Sequence, residues 1–428
     1  MSYNILFWPD VNYEPGHWRP VMSMAQKVKS SIGNCNIKFL CTPECKPIVE
    51  KTKWPNGSRL FGDEEIETIL KDLFPIGYSS LANEKPEEAR SRIDHCLKIA
   101  SGTFDNLLET FQPCLLIAGY FVSMEALLIK RRYDTVIRKR LGGSLPEMKI
   151  IITTTFLRHP NEDPAITSLR FLVHHAQEHS SKLMRAAIGE ADESSLFNGS
   201  LSSIKDFIEP LENVVELITC PKELDHDDFE HRENTHYIEP CILDTDPENN
   251  PAKDVNLIYA TAGSRVRDYV ESAKSMFQTL RKMINITAAK NRKLEMAVGY
   301  TLAEEFGSTN KITIKEWADQ AASLKRARSA VIHGGLASIK ESIYFGIPPI
   351  VIPMGKDQMD NALRVVDKEV GSMLMLDDLS EHGLYNAIMK AELNSDIKKR
   401  LDKMRKRFEE LEAAEPSIAH IKKALGIM

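Results

Sequence analysis

The segment from Ala330 to Asn361 sets polar groups at fixed offsets between two apolar runs. Ala330-Val331-Ile332 reads as a short buried strand ending in His333, and Gly334-Gly335 then lets the backbone turn tightly and approach a ligand. Leu336 to Phe345 has helical spacing. Its first turn, which carries Ser338, offers unpaired N–H groups to a diphosphate, with His333 as a further donor. Glu341, one turn beyond Ser338, is placed to accept hydrogen bonds from two ribose hydroxyls. Gly346 ends the helix and Ile347 to Pro353 reads as a second apolar strand. The turn after it carries Asp357-Gln358, acceptors and donors suited to sugar hydroxyls. One βαβ unit thus offers contacts for phosphate, ribose and hexose in that order.

A second loop, Pro9 to Pro20, follows the first apolar strand and contains Gly16-His17. Ligands of open α/β sheets bind beyond the carboxyl ends of the strands, where this loop falls. Histidine titrates in the range that suits a general base, so His17 is the candidate to take a proton; the alternative is a capping or packing histidine.

These stretches resemble the signature of the family 1 (UDP-glycosyltransferase-like) glycosyltransferases. The family pattern of His-x-Gly, a helical Glu, Gly-x-Pro and a final Asp-Gln is matched by His333, Gly335, Glu341, Gly346, Pro348, Asp357 and Gln358. Trp317-Ala318-Asp319-Gln320 resembles the family's Trp-x-Pro-Gln with Asp319 in place of proline, and Leu257 to Ser264 resembles its strand and Gly-Ser turn. Gly16-His17 with Pro20 resembles Gly-His-x-x-Pro. The likeness is strong from Leu257 to Gly371 and faint between Phe156 and Pro240.

The resemblance implies an α/β fold of the GT-B type, with two Rossmann-like, doubly wound domains facing a cleft and a C-terminal helix crossing back to the first. It also implies inverting, metal-independent transfer from a nucleotide sugar, UDP before TDP, to a small apolar or phenolic natural product. No cofactor is implied beyond that co-substrate. In this scheme Trp317 stacks on the base and Gln320 orients it, Glu341 holds the ribose, and Gly263, Ser264, His333, Gly335 and Ser338 hold the diphosphate. Asp357 and Gln358 grip the sugar, His17 is the base, and Tyr120, Phe121, Phe156 and His175 border the acceptor. Arg265 and Arg267, which follow the Gly-Ser turn, are as suited to reaching a phosphate as to lying exposed at a helix start.

One position departs from the family. Its histidine is oriented by an aspartate at the end of a later strand, and here that strand is Pro113 to Tyr120, with Gly119 where the aspartate is expected. Three readings stay open. Asp10, Glu14 or Glu125 supplies the carboxylate from another backbone position; His17 acts unaided on an acidic acceptor such as a phenol, with pKa ~10; or the chemistry is slow or absent. The last would make the chain a non-catalytic nucleotide-sugar-binding auxiliary protein. A nucleotide-sugar hydrolase or epimerase on the same fold is a further alternative.

The 428 residues exceed what one hydrophobic core usually organises. A Pro/Asn/Asp-rich stretch at 243–254 reads as a linker, and the resemblance implies that it separates an acceptor domain, 1–242, from a donor domain, 255–405, with a returning helix at 406–428 and with residues 164 to 188, mostly helical in pattern, shaping the acceptor pocket. A net charge of −6 without basic clusters excludes a nucleic-acid footprint. Seven cysteines without paired spacing read as reduced thiols of a cytoplasmic protein, and no run is long enough to span a bilayer. Asp225-His-Asp227 and Asp244-Thr-Asp246 spell a metal-binding triplet but lie in polar loops, and His174, His175 and His179 lack zinc-site partners, so no metal is expected. The expected assembly is a monomer or homodimer.

Overall fold

The computed structural model describes residues 2–54, 56–68, 95–96, 98–158, 214–226 and 233–427. Ile5, Leu6, Phe7 and Trp8 are all fully buried, and a strand apolar on both faces belongs in the middle of a covered parallel sheet. Accordingly β1 (Tyr3–Trp8) pairs in parallel with β2 (Cys35–Cys41) on one side and β4 (Leu115–Gly119) on the other. With β3 (Ile66–Thr68), β5 (Lys149–Thr154), β6 (Val215–Ile218) and β7 (Thr235–Tyr237), the described strands form a sheet in the order β3-β2-β1-β4-β5-β6-β7. Its two faces are covered by separate apolar layers, one built around Leu116, Leu127 and Ile152, the other around Ile5, Val21 and Phe39.

The second half repeats the plan. β8 (Leu257–Thr261), β9 (Lys293–Ala297), β10 (Ile312–Lys315), β11 (Ser329–Ile332), β12 (Pro349–Val351) and β13 (Ser372–Met373) are ordered β10-β9-β8-β11-β12-β13, again parallel. In each sheet the strand order reverses once, between β1 and β4 and between β8 and β11. A crevice opens at such a switch point, beyond the carboxyl ends of the two strands. The loops that leave those ends carry Pro9 to Glu14, Gly119 to Val122, Ala262 to Arg265 and His333 to Gly335. The topology therefore gathers residues more than 300 positions apart.

Two buried cations of the second domain fix how the domains meet. Lys340, on the helix α1 of the donor motif (Leu336–Tyr344), donates to the backbone carbonyls of Thr219 and Pro240 in the first domain, the latter at 2.9 Å. Arg364 pairs with Asp225 at 2.8 Å and donates to the Arg158 carbonyl at 2.6 Å; Tyr237 also donates to Asp225. Asp225 is thus a buried anchor between domains rather than a solvated loop residue, because Arg364 needs a counter-charge. Asp244 is likewise held, by Lys325 at 2.8 Å, which pins the linker.

The expected boundary at 406 falls inside a helix. Ser395–Ala414 runs as one helix against the second domain, with Leu401 and Phe408 in that domain's core. The chain turns at Glu415, which adopts φ 48°, and Pro416–Leu425 then packs Ile418 and Ile421 into the core of the first domain. The last turns of the longer helix also reach the first domain, where Glu412 pairs with Lys27 and accepts the Ile242 N–H. The expected helix at 164 to 188, with His174, His175 and His179, and Asp227 lie outside the described residues. Among the described residues no helix is long and apolar enough to cross a membrane.

Replacing Arg364 by Met would strand the Asp225 carboxylate in the interdomain core. A loss of about 3–5 kcal/mol is expected in urea unfolding, with the domains no longer unfolding as one unit.

Candidate active site

The donor motif folds as its spacing predicts. β11 ends at Ile332, and Gly334 turns at φ 96° where a Cβ would lie 2.9 Å from the Gln358 carbonyl, so only glycine fits. The first turn of α1 then faces the interdomain cleft. His333 is buried with its ring over Gly263 and stacked at 6.4 Å on Tyr269. Its Nδ1 has no hydrogen-bond partner among the described residues. Burial, with Lys356 nearby, pushes its pKa down to about 4, so at neutral pH it is an uncharged hydrogen-bond donor or acceptor.

Glu341 and Ser338 share one partner. Gln320 Nε2 donates to Glu341 Oε2 at 2.5 Å and to Ser338 Oγ at 3.2 Å. Burial pushes the Glu341 carboxyl upward, while Arg19 and the Gln320 hydrogen bond pull it back. Arg19 Nε reaches from the first domain to within 3.7 Å of Glu341 Oε1. Trp317 is 48% exposed at the cleft, as an indole awaiting a stacking partner would be. Asp319, which stands in the place of the family's proline, caps the helix Gln320–Arg326 by accepting from the Ala322 N–H, so the substitution preserves the turn that presents Gln320.

Asp357 accepts from Asn361 Nδ2 at 2.8 Å, and the side-chain oxygen Oε1 of Gln358 accepts the Met354 N–H. Burial raises the Asp357 carboxyl above its ordinary range. The two domains face each other across an open cleft. Gly263, Ser264, Trp317, Gln320, His333, Gly335, Ser338, Glu341, Asp357 and Gln358 all line it, together with His17 and Phe156 from the first domain.

His17 sits in the first turn of the helix Pro15–Ser31. Its Nδ1 lies 2.5 Å from Asp10 Oδ2, while Asp10 Oδ1 accepts the Asn12 N–H at 2.9 Å. Asp10 is 1% exposed, immediately after β1. The reason Asp10 can serve is visible at Gly119: a Cβ there would lie 1.8 Å from the Pro9 carbonyl oxygen. The chain leaving β1 occupies the space that a side chain at 119 would need, and it delivers a carboxylate to the imidazole from the neighbouring strand. Of the carboxylates weighed from sequence, Asp10 takes Nδ1 and Glu14 lies 3.6 Å from Nε2. Burial opposes charge on His17, but Glu14, Asp10 and Asp357 together outweigh it and raise its pKa to about 9.

Phe121 stacks on the His17 ring at 5.3 Å and meets Phe156 at 5.4 Å, so one of the predicted acceptor-side aromatics lies on the histidine and a second packs against the first. Tyr120 is 4% exposed and stands edge-on behind both, as backing rather than surface. His175 lies outside the described residues. Sequence reading passed over Arg19, Tyr259, Tyr269 and Lys356, which also line the cleft. Of these only Lys356, next to Asp357, carried a positional signal. Among the described residues no group of three or more His, Cys, Asp or Glu side chains could hold a metal ion.

Two Rossmann-like domains facing one cleft, with a C-terminal helix returning to the first, constitute the GT-B architecture of glycosyltransferases. Residues 300–406 match the family described as UDP-glucoronosyl and UDP-glucosyl transferase. UDP-glucuronosyltransferase 3A1 of Xenopus laevis is 42% identical over 79 residues, 18% of this chain and 15% of that protein. The chain matches well under half the length of its curated relatives. Among solved structures, the glycotransferase of kitacinnamycin aligns with a TM-score of 0.68 at 16% identity, over 99% of this chain and 100% of that one. A spinosyn rhamnosyltransferase complexed with thymidine diphosphate aligns at 0.58 and 13% identity, over 97% and 98%; at such identities these likenesses speak for the fold. The chain has the GT-B fold, and within it residues 300–406 are similar to the UDP-glycosyltransferase family.

Restoring the family's aspartate by Gly119→Asp should fail, because the new Cβ meets backbone rather than a movable side chain. The expected cost is about 3 kcal/mol or more in chemical unfolding, with no gain in any activity the protein has.

Proposed function

We propose that the protein is an inverting, metal-independent glycosyltransferase that moves a sugar from a nucleotide sugar to a small acceptor hydroxyl, with His17 as general base. The observation that carries this reading is the Asp10–His17 contact at the mouth of the donor cleft. Asp10 accepts from Nδ1–H and so fixes the tautomer that leaves Nε2 free to take the acceptor's proton. As the acceptor oxygen attacks the anomeric carbon, the imidazolium that forms is stabilised by the same carboxylate, and the nucleoside diphosphate leaves from the opposite face.

On the donor side, Trp317 receives the base, Glu341 the ribose, and the first turn of α1 with Ser264 and His333 the diphosphate; Asp357 and Gln358 receive the sugar. A carboxylate placed for the ribose hydroxyls favours UDP. TDP, present in two structural neighbours, is the alternative nucleotide. Phe121 on the His17 ring, with Phe156 packed against it, suits an apolar or phenolic acceptor. The non-catalytic reading drew its support from Gly119, and the position of Asp10 weighs against it.

The test is release of UDP or TDP from a panel of nucleotide sugars, with and without phenolic and polyketide acceptors. Acceptor-dependent release that disappears in His17→Ala and falls by about 10²–10⁴ in Asp10→Asn is expected. Tight nucleotide binding with no release would favour the auxiliary reading, and release without acceptor would favour a hydrolase.

The pH profile supplies an independent check. Only neutral His17 can accept a proton, and its pKa is raised to about 9. The value of kcat/KM should therefore climb through pH 7 and 8, reach half its limit near pH 9 and level off only above it, and an ascending limb centred close to pH 6.5 would contradict the account.

A further inference from the structure

One ionic network at the cleft is not used by the reaction as drawn so far. Arg265 follows the Ser264 turn, and its guanidinium is held at two edges. Nε pairs with Asp268 of its own domain at 2.8 Å, and Nη1 reaches across the cleft to Glu14 at 2.7 Å. Lys356 reaches the same Asp268 oxygen at 2.9 Å. Lys356 adopts φ 55°, a backbone conformation that a lysine enters at some cost, so its place in the turn next to Asp357 is not a matter of backbone preference. Arg267, by contrast, points outward with its side chain 64% exposed.

The position of Glu14 is the informative part. One carboxylate oxygen touches Arg265 and the other lies 3.6 Å from His17 Nε2. Glu14 therefore spans from the proton acceptor of the first domain to a cation beside the diphosphate turn of the second. In the proposed reaction the anomeric carbon and its β-phosphate oxygen must lie between those two points. A protein carboxylate stands where the donor's anionic end has to go.

From this placement we propose that Arg265 is a catalytic residue that exchanges Glu14 for the β-phosphate of the donor and neutralises the leaving nucleoside diphosphate. The inference rests on the glycosyltransferase reading above. In the step, the bond between the anomeric carbon and the β-phosphate oxygen breaks and its electron pair stays on that oxygen. The acceptor oxygen bonds to the anomeric carbon, and its proton passes to His17 Nε2. One full negative charge thus appears on the diphosphate.

The helix N-terminus offers only partial charge, and His333, driven to neutrality by burial, offers a hydrogen bond without charge. Arg19 is engaged with Glu341 and the Leu243 carbonyl. Arg265 is the cation beside Ser264, and Asp268 already orients it so that its Nη edge faces the cleft. Lys356, on the same carboxylate, adds positive charge behind it.

The experiment is calorimetric binding of UDP, TDP, uridine and thymidine to the wild-type protein and to Arg265→Met, Arg265→Lys and Glu14→Gln, followed by kcat at saturating donor. Arg265→Met should weaken the preferred nucleoside diphosphate about tenfold or more and leave its nucleoside within about twofold. It should also lower kcat by about a hundredfold, and Arg265→Lys should recover part of both losses. Glu14→Gln should tighten the diphosphate severalfold, since the competing carboxylate is gone; this arm does not depend on the arginine variants folding. Equal loss of nucleoside and diphosphate in Arg265→Met, or unchanged diphosphate affinity in both Arg265→Met and Glu14→Gln, would overturn the inference while leaving the donor site intact. A wild-type protein that binds none of the four probes would instead remove the donor-site reading, and this inference with it.

Discussion

The contact between Asp10 and His17 is the interaction on which the rest of the account depends. A histidine can act as a base toward an alcohol or phenol only if its tautomer is fixed and its charged form is stabilised when the proton arrives. Both needs are met by one buried carboxylate. That carboxylate can be there only because the chain leaving β1 runs close to the end of β4, close enough that Gly119 has no room for any side chain. The packing of two central strands and the chemistry of the histidine are in this sense one constraint.

The proposed base in one domain and the proposed donor site in the other are useful only if the domains keep their spacing. Lys340 and Arg364 do this with charges buried against carbonyls and a carboxylate of the first domain. Lys340 lies on the same helix as Ser338 and Glu341, so the helix proposed to bind the donor is itself the element pinned to the first domain. The terminal helix adds a second tie, with Ile418 and Ile421 in the first domain's core. Arg19, which belongs to the histidine's helix yet lies beside Glu341, shows how closely the two halves of the cleft interlock.

Much of this was legible in the sequence because it is local. The run from His333 to Gln358 folds as strand, turn, helix, strand and turn within one βαβ unit, and every donor-side residue read from spacing lines the cleft. The strand at Ile5 to Trp8 was legible for the same reason, since continuous apolar residues admit few other places. What depended on contacts between distant segments was not legible. The aspartate missing at Gly119 could be named, but the choice among Asp10, Glu14 and Glu125 needed the path of the chain after β1. The return of the terminal helix at Glu415 and the anchoring role of Asp225 likewise follow from partners far away in sequence.

The most direct test of the central claim is an NMR titration of the His17 imidazole in the protein without ligands, compared with Asp10→Asn. The account predicts a pKa of about 9 with the proton of the neutral form on Nδ1, and a lower pKa with that tautomer preference lost in the variant. A histidine that titrates near the ordinary value of about 6.5 and is indifferent to Asp10→Asn would show that the two side chains do not act as a pair.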